Sequence, residues 1–129
     1  MKNLVILSFC FLLSFSLNAQ NNPVRNVDVA TFQKLIESKK YVLIDLRTSD
    51  EIKSKGMIKG AQHLDYLAKD SEKQIGQLDR KKPYLIYCAG GGRSSECAEL
   101  MQKLGFTEVV NLEKGFDDWK RKGLETVKN

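Results

Sequence analysis

The chain has 129 residues, 42% of them hydrophobic and 29% charged, which suits one globular domain and excludes two domains or a disordered chain. Its net charge is +5, and removing a leader that holds only Lys2 would leave +4. Bases alternate with acids along the chain, as in Asp50-Glu51 before Lys53 and Lys55, so the clustered stripe of a nucleic-acid groove is missing and none is expected to bind.

Residues 1–19 stand apart. Lys2 precedes a short apolar run through Phe15, shorter than the roughly 20 apolar residues of a membrane span. A basic start, a short apolar core and small Ala19 at the end describe a secretory signal, with Gln20 first after cleavage. Leu17 fits the small position before the cleavage site poorly, so a retained anchor stays the alternative. Phe9 is too bulky for a lipid-attachment box at Cys10. An exported protein is expected, periplasmic or extracellular, with no stable membrane association after cleavage. Cleavage would leave two cysteines, Cys88 and Cys97. They can form a disulfide, or serve as one reactive thiol and one packed thiol.

In the mature chain, residues 20–25 read as a polar lead and 27–29 as a brief extended stretch. Asp28 or Thr31 can cap a helix whose apolar face carries Phe32, Leu35 and Ile36. Tyr41-Val42-Leu43-Ile44 is a continuous apolar run, the pattern of a strand buried on both faces of a parallel sheet. Residues 48–54 predict a short capped helix, broken by Gly56. Gly60 marks a turn before residues 61–64. The stretch 66–80 is helical in composition but weakly patterned. Tyr84-Leu85-Ile86-Tyr87 is a second buried-type run and leads into Cys88-Ala89-Gly90-Gly91-Gly92-Arg93. Residues 94–104 are amphipathic, with Cys97, Ala98, Leu100, Met101 and Leu104 at helical spacing. Val109-Val110-Asn111-Leu112 is a third strand, and 114–121 a last helix presenting Phe116 and Trp119. Strands alternating with helices predict an α/β domain with a mostly parallel central sheet.

The functional argument centres on the order strand, cysteine, glycines, arginine, helix. Glycines let a backbone curl with positive φ, and a curled loop can turn several N–H groups inward as a nest for an anion. The following helix adds its positive N-terminal end. Such a ring beneath a thiol favours the thiolate, the nucleophilic form. Arg93 can brace the loop or pair with an anion. Four residues separate Cys88 from Arg93. Cysteine-dependent phosphatases place one more there, so this loop suits a single sulfur better than a phosphoryl group. His63 is the sole histidine, and no metal site is expected.

The segment Tyr87 through Ser95 resembles the active-site loop of single-domain rhodaneses. Gly56-Met57-Ile58-Lys59-Gly60-Ala61 resembles the family's Gly-His-Ile-Pro-Gly-Ala turn. Asp45-Leu46-Arg47 resembles its Asp-x-Arg strand end, and Gly105-Phe106, Leu112, Gly115 and Trp119 resemble its C-terminal signature. The resemblance implies a rhodanese fold over residues 24–125: a five-stranded, mostly parallel central sheet with helices on both faces. It implies a sulfurtransferase that carries sulfane sulfur as a persulfide on Cys88, from thiosulfate or a persulfide donor to a thiol or cyanide. A protein sulfur acceptor also fits, and the expected state is a monomer. No cofactor is implied. By position, Cys88 is the sulfur carrier, the backbone from Ala89 through Gly90, Gly91, Gly92 and Arg93 to Ser94 is the cradle, and Arg47 lies near it. Four positions depart from the family: Met57 for histidine, Lys59 for proline, Lys114 for a glycine, and Ala89 where thiosulfate-using members often carry a cation. Ala89 keeps a second reading open, a catalytically weak binding module, and Cys97 a third, a Cys88–Cys97 thiol–disulfide switch.

Overall fold

A computed structural model describes residues 22–128; the expected leader, 1–19, lies outside the described residues. Five strands form one all-parallel sheet: β1 (Val24–Val27), β2 (Val42–Asp45), β3 (Gln62–His63), β4 (Pro83–Tyr87) and β5 (Glu108–Leu112), in the order β1-β5-β4-β2-β3. The two runs of alternating contacts on β4 explain its central place. Tyr84 and Ile86 enter one core cluster, Leu85 and Tyr87 the other.

The helices divide between these two faces. Helix α3 (Ser71–Gly76) supplies Ile75 to the first cluster, and α4 (Gly92–Lys103) supplies Cys97, Ala98 and Met101. Helix α1 (Val29–Glu37) brings Val29 and Phe32 to the second, where α5 (Gly115–Arg121) brings Phe116 and Trp119. Helix α2 (Ser49–Lys55) is a one-sided surface helix with Ile52 as its buried residue.

Helix caps set the entry points. The Asp28 carboxylate accepts from the Thr31 amide at 2.9 Å and starts α1. Thr48 and Glu51 form a reciprocal capping box at the start of α2. Gly56 ends that helix at φ 81°, and a Cβ there would lie 2.8 Å from the Val127 carbonyl. Met57 and Val127 exchange two backbone bonds of 2.8 Å, so the segment at Val127 packs against the turn at Met57.

Two local expectations are corrected. The extended segment is β1 at Val24–Val27 rather than 27–29, because Asp28 is already the cap of α1. The helix expected across 66–80 shrinks to the six residues of α3, where Ser71 and Ile75 alone are buried. Without a continuous apolar stripe, the flanking residues have no face to dock.

From β2 the chain moves outward to β3, and from β4 it moves the opposite way to β5. Divergent connections leave room beyond the C-terminal ends of β2 and β4, where open parallel sheets bind ligands. Arg47 and Thr48 follow the first of these ends, and Cys88 follows the second.

Candidate active site

Cys88 leaves β4 at the centre of the sheet and is 1% exposed. Its Sγ accepts from the Gly91 amide at 3.1 Å and the Ser94 amide at 3.4 Å. The Ser94 hydroxyl lies 3.4 Å from the same sulfur and also donates to the Gly91 carbonyl at 3.2 Å. Ser94 thus offers both an amide and a rotatable hydroxyl, which can accept from a thiol or donate to a thiolate. The sulfur sits over the first turn of α4, where amides have no helical acceptor and carry the positive end of the helix.

The loop curls because its outer face is clamped. The Phe116 amide donates to the Cys88 carbonyl at 2.8 Å, and the Asp117 amide to the Ala89 carbonyl at 3.0 Å. These bonds turn two carbonyls toward α5 and leave the amide side facing the sulfur. The clamp is too close for side chains. A Cβ on Gly91, at φ 105°, would lie 2.0 Å from the Glu113 carbonyl, and one on Gly115, at φ 69°, would lie 2.3 Å from the Ala89 carbonyl. Gly90 and Gly92 face open space instead.

Arg93 pairs across to α2. Its guanidinium grips Glu51 of α2 through two bonds of 2.8 and 2.7 Å. The same Glu51 carboxylate accepts from the Thr48 amide at 2.9 Å and hydroxyl at 3.0 Å. The Arg93 bonds pull the Glu51 carboxyl down to about 2 from an ordinary 4.5, against the opposing effect of burial and with help from Thr48. Arg93 therefore braces the loop, and its charge is already matched.

Arg47 was expected near the cradle as a substrate-binding residue, and the structure places it in the core at 1% exposure. It holds Asp45 through Nε at 3.0 and 3.2 Å and Nη2 at 2.7 Å, donates to the Gly56 carbonyl at 2.7 Å, and lies 3.8 Å over the Phe116 ring. The Tyr87 hydroxyl donates to Asp45 at 2.6 Å and accepts from the Ile58 amide at 3.1 Å. Burial first, then Asp45, pushes the Tyr87 phenol far upward, so it stays a hydrogen-bond donor. This network ties the end of β2 to the end of β4 beside Cys88.

His63 ends β3, with Nε2 donating to the Arg47 carbonyl at 2.6 Å. Cys97 packs in the α4 face of the core at 1% exposure, and both cysteines are free thiols. Burial, with the nearby Cys88, pushes the Cys97 thiol up to about 12. Among the described residues no group of three or more histidine, cysteine or carboxylate side chains could hold a metal, and no helix is long and apolar enough to cross a membrane.

Sequence reasoning missed Asp45, Tyr87 and Glu51 as partners. Only Glu51 left a local signal, the Thr-x-x-Glu spacing of a capping box, which points to Thr48 and is silent on Arg93.

Residues 28–122 match the family model of the rhodanese-like domain. The chain belongs to the rhodanese-like family. It is 35% identical over 96 residues to a sulfurtransferase of Allochromatium vinosum, covering 74% of this chain and 86% of that protein. It is also 35% identical over 89 residues to thiosulfate sulfurtransferase GlpE of Coxiella burnetii, covering 67% and 78%. Among solved structures, a rhodanese-related protein of Thermoplasma volcanium superposes with a TM-score of 0.72 at 27% identity, over 81% of this chain and 99% of that one. A polysulfide-sulfur transferase homodimer of Wolinella succinogenes gives 0.69 at 26% identity, over 83% and 80%. Rhodanese membership and relatives named sulfurtransferases support a sulfur-transfer role in general.

Proposed function

We propose that this rhodanese-family protein carries sulfane sulfur as a persulfide on Cys88. The observation that carries the reading is the pair of amides, Gly91 and Ser94, converging on the Cys88 sulfur at the head of α4. Negative charge on a first sulfur, or on a second bonded to it, is met there by fixed backbone dipoles that need no reorganisation. In the loading step the Cys88 thiolate attacks the sulfane sulfur of thiosulfate or a persulfide. A sulfur–sulfur bond forms to Cys88, the donor's own breaks, and its electron pair leaves on sulfite or a thiolate. In the second step a thiol or cyanide attacks the outer sulfur and Cys88 leaves as thiolate. A monomer suffices for both steps.

Mass spectrometry of the mature domain after incubation with a donor tests this. A gain of about 32 Da on Cys88, removed by cyanide and absent in Cys88→Ser, is the expected result. No gain with either thiosulfate or a persulfide would overturn it.

The 1% exposure of Cys88 favours one second reading, a docking module whose sulfur is never reached. Under that reading Cys88→Ser keeps the biological role; a carrier loses it. The proposed setting is outside the cytoplasm, on the strength of residues 1–19. N-terminal sequencing of exported protein should begin at Gln20.

A further inference from the structure

On the α1 side of the sheet, helix cover stops short of the β3 edge. Helix α1 packs against β4 and β5, and between its C-terminal end and the turn before β3 lies a surface depression of about 400 Å³. Leu43 and Leu85, paired across the β2–β4 ladder, line it from the sheet, with Ile36 of α1 and Val42 beside them. The place is separate from the sulfur. Leu43 and Leu85 belong to one core cluster and Cys88 to the other, beyond the C-terminal end of β4, whereas Tyr41 and Val42 lead into the start of β2. A concave, mainly apolar lining with a few polar groups is the usual form of a small-ligand site.

The charge of this lining is one-sided. Lys39 and Lys59 are its charged groups, both exposed, and neither has an ion pair among the described residues. The Tyr41 hydroxyl is occupied by Glu108, whose other partner is Arg25. Glu37 and Glu125 line the neighbouring depression around Trp119.

Lys39 is held in this lining at a conformational cost. It follows the cap of α1 at φ 58°, the one non-glycine residue with positive φ among the described residues. Helices commonly place glycine there, because a side chain disfavours the left-handed region. Strain kept where a glycine would relieve it points to a use for the lysine. Lys59 stands where the family's turn carries proline, so this second cation is also a feature of this chain.

We infer that the depression binds a medium-chain aliphatic anion, its chain against Leu43, Leu85, Ile36 and Val42 and its head held by Lys39 and Lys59. An extended peptide fits less well. The edge strand beside the site, β3, is the two residues Gln62–His63 and offers almost no ladder to extend. The inference does not rest on Cys88 as sulfur carrier.

Decanoate below its micelle concentration is the probe, followed by calorimetry and by amide NMR shifts. Shifts are expected around Ile36, Lys39, Leu43, Lys59 and Leu85. Decanol, the uncharged analogue, should bind several-fold more weakly, and octanoate, with its shorter chain, roughly tenfold more weakly. Lys59→Gln should weaken decanoate about threefold, the size of one exposed ion pair, and Lys59→Arg should restore it. Affinity should fall as ionic strength rises. Lys39→Gly separates binding from folding: it should weaken decanoate about threefold while raising the melting temperature, because it removes both a cation and a left-handed side chain. Cys88→Ser should bind as the wild type does. Several results would each overturn the inference: no binding by the wild type, decanol binding as tightly as decanoate, affinity indifferent to both lysines, shifts centred on Gly91 and Ser94 instead, or occupation of the site by an acidic peptide or a second copy of the chain in preference to decanoate. None of them bears on sulfur loading, which the mass measurement on Cys88 tests separately.

Discussion

Glu51 and Arg93 face each other across 42 residues of sequence and join two helix starts with one ion pair. Glu51 belongs to the capping box of α2, and Arg93 to the first turn of α4 that lies under the Cys88 sulfur. Strengthening or weakening this pair therefore changes how firmly the cup is held, although neither group touches the sulfur.

That link has a pH signature. The folded Glu51 carboxyl lies near 2, below its ordinary 4.5. A depressed acid stabilises the fold above its unfolded value, and its contribution disappears as pH falls through the folded one. Glu51→Gln should thus lower the melting temperature at pH 7, and the gap to the wild type should close between about pH 4.5 and pH 2. Thermal melts of both proteins over that range check this; a gap that persists at pH 2 would show that the pair contributes little.

Asp45 and Arg47 make a stronger demand. Both are buried, and removing one leaves the other charge without its partner. Asp45→Ala is expected to cost about 3–5 kcal/mol in urea unfolding, since it also strands the Tyr87 hydroxyl. A joint replacement, Asp45→Leu with Arg47→Met, should recover much of the loss, because no charge is then left buried. If Arg47→Met alone were to reduce sulfur loading with stability unchanged, Arg47 would be a substrate contact after all.

Much of the sheet was legible because β2 and β4 carry continuous apolar runs and β5 one broken only by Asn111, the pattern of strands covered on both faces. β1 was shifted by three residues because it is a half-exposed edge strand with no such run. The loop after Cys88 was legible through its glycines and the resemblance. Its electrostatics were not. That Arg93 and Arg47 are neutralised depends on Glu51 and Asp45, and a carboxylate's choice of partner leaves no trace in spacing along the chain.

Cys97 bears on the switch reading. Burial pushes its thiol up to about 12, so Cys97 is held as the thiol at pH 7, and the thiolate is the attacking form in disulfide exchange. Cys97→Ala should leave persulfide loading of Cys88 intact and cost about 1 kcal/mol for the lost buried sulfur. Native protein treated with an alkylating agent at neutral pH should keep Cys97 unmodified until it is unfolded. A Cys88–Cys97 disulfide in protein isolated from its own compartment would revive the switch.

The three consecutive glycines look equivalent in the sequence, but the clamp makes them unequal. Gly91 alone combines a positive φ with a carbonyl 2.0 Å from where a Cβ would sit, and that carbonyl is backbone, unable to swing aside. Gly91→Ala must therefore displace the Glu113 peptide or flatten the loop, either of which withdraws the Gly91 amide from the sulfur. We expect a loss of about 2 kcal/mol or more in stability together with a large drop in loading. Gly92→Ala meets nothing within 4 Å and keeps its amide, so its stability should match or slightly exceed the wild type, as alanine favours the helix it begins. Urea unfolding and persulfide loading of the two variants side by side would separate these outcomes. Equal behaviour of the two would mean that the clamp of Glu113 and Gly115 does not shape the cup.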